Sequence, residues 1–439
     1  MRPGPIEEPT RHFAQKLKIV HRWISPDRFK SIEPVSMARI LLVVPTSSYR
    51  VADFIAAAEA LGVEVAVAAE EDLPLLGVDR FVRIDCADPA AAANALADLA
   101  ASTPVDAIVP VDDAGVVIAA MASRLLGLPH NRPEAALATR DKAVMRRALA
   151  AAEVPQPRFA PVEPGQDPAA AAALVGFPLV VKPLTLSGSR GVIRVDSRDR
   201  LGPVIERVLG IAGAAGENHG RLLIEEFTPG PEVAVEGMLW GGDLEVLAIF
   251  DKPDQSDGPF FEETIYVTPS QLDNHTQDDI VRVTQAAMNA IGLEEGPIHA
   301  ELRVRDGQPM VIEVAGRSIG GMCGRALKFG LLDTSLETLI LRHALGRRHR
   351  SLHRTRNASG VMMLPIPRPG ILTSITGLDA AAASAGIRSV EITAPVGARL
   401  RTVPEADRYL GFIFATGAEP AEVVDNLRNA HHRISIVIT

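Results

Sequence analysis

The feature that most constrains the fold is the alternation of short apolar runs with helical patterns at the start of the chain. Apolar runs occupy 38–44, 63–69 and 106–113, and residues 51–61 place apolar side chains at helical spacing. Buried parallel strands need short continuous apolar runs, and the helices between them serve as crossovers. Residues 37–131 are therefore predicted to form a Rossmann-like α/β domain. They contain no GxGxxG fingerprint, so a dinucleotide site has no support.

The pattern changes near residue 132. Apolar and polar positions then alternate between short turns and helical stretches, which indicates antiparallel sheets mixed with helices. A polar break, RRHRS, precedes a final segment with four more strand patterns and two helical ones. We predict an α+β region over 132–345, a small C-terminal α+β domain over 346–439, and an extension over 1–36. The fold class is thus α/β and α+β.

Composition excludes several function classes. The formal net charge of −9 and the aromatic content of 4% argue against a nucleic-acid-binding surface. The two cysteines, Cys86 and Cys323, lie far apart, which excludes a disulfide framework and fits a reducing compartment. No run reaches the roughly 20 apolar residues that span a bilayer, and the N-terminal extension lacks the apolar core of a signal peptide. We expect a cytoplasmic protein with neither nucleic-acid nor membrane partners.

A lysine and a flexible loop form the first candidate site. Lys182 ends the apolar run FPLVVKP, and a Ser/Gly loop follows at 185–191. Small residues let backbone N–H groups approach an anion closely, so this arrangement suits phosphate binding. The alternatives are a solvated charge at a strand end and an ordinary hairpin. The loop residues concerned are Ser187, Gly188, Ser189 and Gly191.

A second candidate follows the apolar run RLLIEEF. The run contains two carboxylates near its end, and a Pro/Gly turn and a further carboxylate follow it. Their spacing suits a hinge segment that hydrogen-bonds to the edge of a purine ring and to its ribose. Surface charge is the alternative. The hinge residues are Glu225, Glu226, Phe227, Thr228 and Glu232.

Two apolar strand patterns, HAELRV and MVIEVAG, each contain one carboxylate. Glu301 and Glu313 are separated by the turn sequence RDGQ, which places them on adjacent strands. A carboxylate facing a core is costly unless it is paired or binds a cation, and Mg²⁺ prefers such oxygen ligands. Arg317 follows, where its planar guanidinium could hold a phosphate or carboxylate. An ion-paired Glu/Arg ladder is the alternative, and His299 is interpreted as a paired core histidine.

The order of these elements resembles the ATP-grasp superfamily over about 132–345. The resemblance implies ATP as cofactor, with its phosphates bound by Lys142, Lys182 and Lys252. It makes the Ser/Gly loop part of a lid subdomain at about 176–228. It places the hinge residues against adenine and Glu232 against the ribose. It assigns Glu301 and Glu313 to Mg²⁺, with Mn²⁺ as the alternative metal.

One departure from the common ATP-grasp metal motif narrows the resemblance to a smaller group of these enzymes. Many ATP-grasp enzymes read E-x-N at the last metal motif, whereas this chain has Ala315 two residues after Glu313. The pattern E-x-x-x-R-x-x-G-G is instead similar to that of bacterial L-amino-acid ligases, which the C-terminal segment also resembles. This resemblance assigns a catalytic or substrate-binding role to Glu263, Arg317, Gly320 and Gly321. Tyr266 stands at a position where that group often has histidine.

The resemblance implies an ATP-dependent ligase that joins a small-molecule carboxylate to an amine, both amino-acid-like, through an acyl phosphate. A homodimer is compatible with it. The alternatives are a ligase similar to biotin carboxylase or to purine-pathway enzymes, and a nucleotide-binding protein without ligase activity.

Overall fold

The computed structural model describes residues 37–46, 48–71, 80–217, 219–254, 257–348 and 353–439. The predicted extension at 1–36 lies outside these residues. In the described part of the chain, none of the helices has the length and hydrophobicity needed to cross a bilayer.

The first sheet is parallel, as the apolar runs predict. Its elements are β1 (Arg39–Val44), α1 (Val51–Leu61), β2 (Glu64–Ala69), β3 (Phe81–Arg83), α2 (Pro89–Ser102), β4 (Ala107–Pro110), a 3-10 turn (Asp113–Gly115) and α3 (Val116–Leu126). The strand order is β3-β2-β1-β4, and Ile40 to Val44 of β1 are buried because helices cover both faces. The carboxyl end of β4 leads into the 3-10 turn, whose side chains lie near the cavity described below.

A small antiparallel sheet follows, with the strand order β5-β8-β6-β7. Its elements and the two helices before it are α4 (Pro133–Ala138), α5 (Lys142–Ala151), β5 (Phe159–Val162), α6 (Pro168–Val175), β6 (Leu179–Lys182), β7 (Ile193–Val195), α7 (Arg198–Ala214) and β8 (Leu222–Glu226). Helix α5 begins at Lys142, because Asp141 caps it by accepting from the backbone N–H groups of Ala143 and Val144. The sheet begins at Phe159, earlier than the predicted subdomain boundary near 176.

The largest sheet has eight strands in the order β13-β12-β9-β10-β11-β16-β20-β18. The elements up to residue 345 are β9 (Glu232–Trp240), β10 (Asp243–Lys252), β11 (Ile265–Thr268), α8 (Asn274–Ile291), β12 (Glu295–Arg305), β13 (Gln308–Ala315), a 3-10 turn (Cys323–Ala326), β14 (Lys328–Phe329), β15 (Thr334–Ser335) and α9 (Leu336–Ala344). Alternate residues of β9 face opposite cores: Val233 and Val235 pack with α8, whereas Ala234 and Met238 pack with α9 and the first sheet.

The C-terminal segment adds three strands to this large sheet. Its elements are β16 (Ala358–Met363), β17 (Gly370–Thr376), α10 (Leu378–Ala382), β18 (Ile387–Ile392), β19 (Arg399–Leu400), β20 (Gly411–Gly417), α11 (Pro420–His431) and β21 (Ser435–Ile438). Strands β19, β17 and β21 form a separate small sheet. The large sheet therefore continues across the domain boundary predicted between residues 345 and 346. The predicted limits of the domains remain predictions. The fold class, α/β followed by α+β, is confirmed.

A fully buried arginine joins the small sheet to the large one. Arg146, on α5, has no exposed side-chain surface; its Nε donates to Glu225 Oε1 of β8 at 2.5 Å, and its Nη atoms donate to the carbonyl oxygens of Val311 and Ile312 of β13 at 2.8 and 2.7 Å. Glu225 also forms an ion pair with Lys182 of β6. Burial opposes the negative charge on Glu225, but Arg146 and Lys182 outweigh burial and lower its pKa to about 2. Glu225 thus stays charged inside the protein.

We expect Arg146→Met to lower the free energy of unfolding by about 3–5 kcal/mol, because it leaves a buried carboxylate with only one of its two cations. Arg158→Met is the matched control: Arg158 pairs with the neighbouring Glu226 at 3.0 Å, but 64% of its side chain is exposed. An exposed pair contributes at most about 1 kcal/mol. Urea denaturation followed by circular dichroism measures both variants, and equal losses would contradict the structural role of Arg146.

Candidate active site

A cavity of about 470 Å³ lies where the small sheet, the large sheet and the first sheet approach one another. It brings together every residue that the sequence marks for a site except Gly191 and Lys252. Of these two, Lys252 contacts residues that line the cavity, and Gly191 contacts the C-terminal segment. The lining residues from the sequence-predicted set are Lys142, Lys182, Ser187, Gly188, Ser189, Glu225, Glu226, Phe227, Thr228, Glu232, Glu263, Glu301, Glu313, Arg317, Gly320 and Gly321.

Two buried lysines stand beside the Ser/Gly loop. Lys142 donates from Nζ to the carbonyl of Leu186 at 2.7 Å and lies 3.0 Å from Glu313. Lys182 is paired with Glu225, and burial, which is only partly offset by that carboxylate, lowers the pKa of Lys182. The lysines and the loop line one wall of the cavity, where ammonium and backbone N–H groups suit phosphate binding.

The hinge after β8 carries one orphaned polar atom. In the described structure the hydroxyl of Thr228 is buried without a hydrogen-bond partner, and it lines the cavity. Arg194 lies over the ring of Phe227, with 4.1 Å between its guanidinium carbon and the ring centre. Glu226 pairs with Arg305 at 3.0 Å, and the side chain of Glu225 is occupied by its two cations. Thr228 and the hinge backbone therefore remain to contact a planar polar ring.

A row of alternating charges crosses the floor of the cavity on β9, β10 and β12. Lys252 lies 2.5 Å from Glu232 and 3.3 Å from Glu301, and His299 lies 3.4 Å from Glu301 and 3.2 Å from Glu236. Burial lowers the pKa of His299, but hydrogen bonds to Glu236 and Glu301 outweigh it and raise that pKa to about 9. His299 is therefore a charged imidazolium with a partner on each side, consistent with a paired core histidine.

Glu301 and Glu313 are directly opposite each other on the antiparallel strands β12 and β13. Burial opposes the charge on Glu301, but Lys252 and His299 hold its pKa well below the usual range. Glu313 is one-third exposed towards the cavity. Over the described residues no cluster of three or more His, Cys, Asp or Glu side chains forms a metal site. Two opposed carboxylates still fit Mg²⁺, which commonly takes one or two carboxylates and completes its shell with phosphate oxygens and water.

Arg317 closes the opposite side of the cavity. Its Nη2 donates to Asp113 Oδ2 at 2.7 Å and its Nη1 to the carbonyl of Ser318 at 3.0 Å, whereas its buried Nε has no hydrogen-bond partner in the described structure. A Cβ added at Gly320 would lie 4.0 Å from this guanidinium. Gly321 has φ +59° and packs so closely against the ring of Phe412 that a Cβ there would lie 3.0 Å from it.

Three tyrosines occur in the whole chain, and all three line this cavity. Tyr409 donates to Glu263 at 2.9 Å. Burial raises the pKa of Glu263, and Lys252 offsets only part of that effect. Tyr266 lies over Lys252, with 4.9 Å between the ammonium and the ring centre, and burial together with Glu263 raises its pKa well above the usual range. A carboxylate flanked by two neutral phenols faces the cavity opposite the lysine wall.

The sequence did not identify two of these contributors: Asp113, and the cavity wall at 401–409, which includes Tyr409. Asp113 could have been found, because it closely follows the carboxyl end of a buried parallel strand, where ligands bind in α/β sheets. The segment 401–409 carries no such signal. It contacts the small sheet, since Gly191 N–H donates to the carbonyl of Pro404 at 2.9 Å and Arg207 of α7 forms a two-point pair with Glu405 at 2.7 and 3.0 Å.

Three family models match this chain. They are an ATP-grasp N-terminal domain over residues 55–130, an ATP-grasp domain over 175–326, and an L-amino acid ligase C-terminal domain 2 over 362–439. Together they cover the three regions that surround the cavity.

Relatives agree with these models. The chain is 30% identical over 293 residues to an uncharacterised protein of Sinorhizobium fredii, covering 66% of this chain and 60% of that protein. It is 29% identical over 233 residues to the alanine–anticapsin ligase of Bacillus subtilis, covering 49% of each. The chain thus spans about half to three fifths of the length of these relatives.

Among solved structures, an L-amino acid ligase from Bacillus licheniformis superposes with a TM-score of 0.79 at 26% identity. The superposition covers 92% of this chain and 99% of that one. Fold, cavity and family models therefore agree: the chain contains ATP-grasp domains and the C-terminal domain of L-amino acid ligases.

Proposed function

We propose that the chain is an ATP-dependent carboxylate–amine ligase that forms an amide or peptide bond between amino-acid-like substrates and releases ADP and phosphate. One observation carries this proposal: a single cavity holds a lysine wall, two opposed carboxylates, and an arginine whose buried Nε has no partner in the described structure. These groups match a polyphosphate, a divalent cation and a developing oxyanion, respectively. A fourth group, Glu263 with Tyr409, faces them and suits a substrate ammonium.

For ATP, Lys142 and Lys182 would bind the phosphates, and the Ser/Gly loop would donate backbone N–H groups to them. The hinge with Thr228 would contact adenine. Glu232 would accept from ribose hydroxyls, and the pair that it forms with Lys252 would hold it in place. Lys252 is buried between two carboxylates, so we assign it to balancing the charges of Glu232 and Glu301 rather than to a direct phosphate contact.

Glu301 and Glu313 would hold Mg²⁺, or Mn²⁺. The bound ion would neutralise phosphate charge and orient the terminal phosphoryl group for transfer. The salt bridge between Lys142 and Glu313 places the proposed phosphate-binding lysine next to the proposed metal site.

The reaction would proceed in two steps. A substrate carboxylate oxygen attacks the terminal phosphorus of ATP; the new O–P bond forms as the bond to ADP breaks, which gives an acyl phosphate. The amine of the second substrate then attacks the acyl carbon, the C–N bond forms, inorganic phosphate leaves with the C–O electron pair, and the amine loses a proton. Arg317 would donate to the tetrahedral oxyanion and to the leaving phosphate. Positioning supplies much of the remaining acceleration.

Glu263 would bind the ammonium group of an amino-acid substrate. Its charge is favoured by Lys252 and by the hydroxyl of Tyr409, and Tyr266 beside it supplies a phenol rather than an imidazole. We infer that the accepted amino acids differ from those of relatives that carry histidine at this position.

Two residue-level observations separate the alternatives. Ala315 replaces the asparagine that biotin carboxylases share with many members of the superfamily, and the C-terminal segment matches an L-amino acid ligase domain. Both observations favour amino-acid ligation over carboxylation or a purine-pathway reaction. A nucleotide-binding protein without ligase activity would bind ATP but would not release ADP in response to any pair of substrates.

The test is a screen of amino-acid pairs with ATP and Mg²⁺, in which ADP is measured by a coupled assay and products by mass spectrometry. At least one pair should yield ADP and a condensed product in equal amounts. Glu313→Gln and Glu301→Gln should each lower this rate by about 100-fold or more, since each removes charge that stabilises phosphoryl transfer. Glu294→Gln is the matched control, because Glu294 is exposed and does not line the cavity.

The ligase proposal would be rejected if no pair gave a condensed product. It would also be rejected if the Glu313 and Glu301 variants behaved like the control.

The contacts between the small sheet and the segment 401–409 generate a further prediction. If the small sheet closes over the acyl phosphate, these contacts should keep water out. We expect Arg207→Ala and Glu405→Ala to raise the ratio of ADP to condensed product about two- to fivefold, a size that suits an exposed ion pair. Exchanging the charges in Arg207→Glu/Glu405→Arg should restore the ratio.

Arg124→Ala is the control for this pair. Arg124 lies 3.6 Å from Glu134 and is similarly exposed, but this pair joins α3 to α4 and does not touch the segment 401–409. An unchanged ratio in both Arg207 and Glu405 variants would show that the pair has no part in excluding water.

A further inference from the structure

Asp113 lies just after β4, the last strand of the first sheet along the chain, and its carboxylate reaches the cavity. It begins the 3-10 turn that follows β4, and the turn packs tightly on β1: a Cβ added at Gly115 would lie 3.1 Å from the side chain and the carbonyl of Val43. The backbone of this turn therefore has little room to move. Asp113 lines the cavity together with its neighbour Asp112.

The carboxylate of Asp113 fixes one guanidinium and contacts another. Oδ2 accepts from Arg317 at 2.7 Å, and Oδ1 lies 3.5 Å from Arg140. Arg140 in turn donates to the carbonyl of Thr185 in the Ser/Gly loop at 3.1 Å. Burial opposes the charge on Asp113, but Arg317 and Arg140 outweigh it and hold its pKa well below the usual range. One carboxylate thus links the first sheet, the loop and Arg317.

The contacts of Arg317 determine which of its edges can bind an anion. Asp113 holds Nη2 and the carbonyl of Ser318 holds Nη1, while Nε is buried with no hydrogen-bond partner among the described residues. A planar fork that is held at two nitrogens cannot rotate freely. Without Asp113 the guanidinium would have one holding contact and could turn.

We propose that Asp113 is a positioning residue that orients Arg317 towards the phosphate released in the ligation reaction. This inference rests on the proposed function, in which Arg317 contacts that phosphate. It assigns to the N-terminal α/β region an indirect part in the chemistry, through Arg317, beyond packing against the large sheet.

A second ion pair between the same two parts of the chain provides a matched control. Asp53 on α1 binds Arg325 with two hydrogen bonds of 2.9 Å, and neither residue lines the cavity. If aspartates of the first sheet serve only to dock it on the large sheet, Asp53→Asn and Asp113→Asn should have similar effects. If Asp113 positions Arg317, only Asp113→Asn should change phosphate binding and turnover.

The experiment measures binding of inorganic phosphate to the full-length protein saturated with Mg²⁺ and ADP, by isothermal titration calorimetry, together with kcat and KM for ligation. Asp113→Asn should weaken phosphate binding about tenfold or more and lower kcat, with ADP affinity within twofold of the wild-type value. Asp113→Glu should recover part of the loss, and Asp53→Asn should match the wild type. In a protein that already carries Arg317→Lys, Asp113→Asn should add little.

Equal phosphate affinity in Asp113→Asn and the wild type would overturn the proposal, and so would equal losses in Asp113→Asn and Asp53→Asn. Absence of phosphate binding by the wild-type ADP complex would also overturn it. If phosphate binding separates the variants as expected but no amino-acid pair is ligated, the proposed function fails while the role of Asp113 stands. If an amino-acid pair is ligated but the variants bind phosphate equally, the role of Asp113 fails while the proposed function stands.

Discussion

The buried cluster in which Glu225 pairs with both Arg146 and Lys182 is the interaction on which the rest of the site depends. Charges can remain inside a protein only where partners compensate for lost hydration, so these side chains must be held in fixed positions. Arg146 meets that need by also binding two carbonyl groups of β13, next to Glu313. Because of it, the lysine on the small sheet and the carboxylate on the large sheet keep a constant spacing.

The alternating charges across the large sheet extend the same principle. Glu232, Lys252, Glu301, His299 and Glu236 form a chain in which each charge has an opposite neighbour. Such a row is arranged during folding, before any ligand arrives. Preorganised charges of this kind need little rearrangement when a polyphosphate and its cation bind, and this is how protein sites usually stabilise developing charge.

Local patterns explain how much of this could be predicted from the sequence. The parallel sheet follows from short apolar runs, and the turn sequence places Glu301 and Glu313 on adjacent strands. The two residues stand directly opposite each other because the register also shifts by one residue between Glu301 and Leu302, which the local pattern does not reveal. Arg146 and Asp113 were missed because their partners are distant: Glu225 is 79 residues from Arg146, and Arg317 is 204 residues from Asp113. An arginine on an amphipathic helix looks like a surface residue until the sheet packed against it is known. Tyr409 was missed for the same reason.

Because the eight-stranded sheet is continuous, the C-terminal segment is not an independent module. Strand β11, which carries Tyr266, shares a single register pair with β10, Asp251 with Val267, but four pairs with β16 of the C-terminal segment. The C-terminal segment therefore does not behave as an appendage that evolution or engineering can exchange freely. Replacing it would unpair the strand that carries Tyr266 beside the proposed amino-acid site, so exchanging this segment would also change the shape of that site.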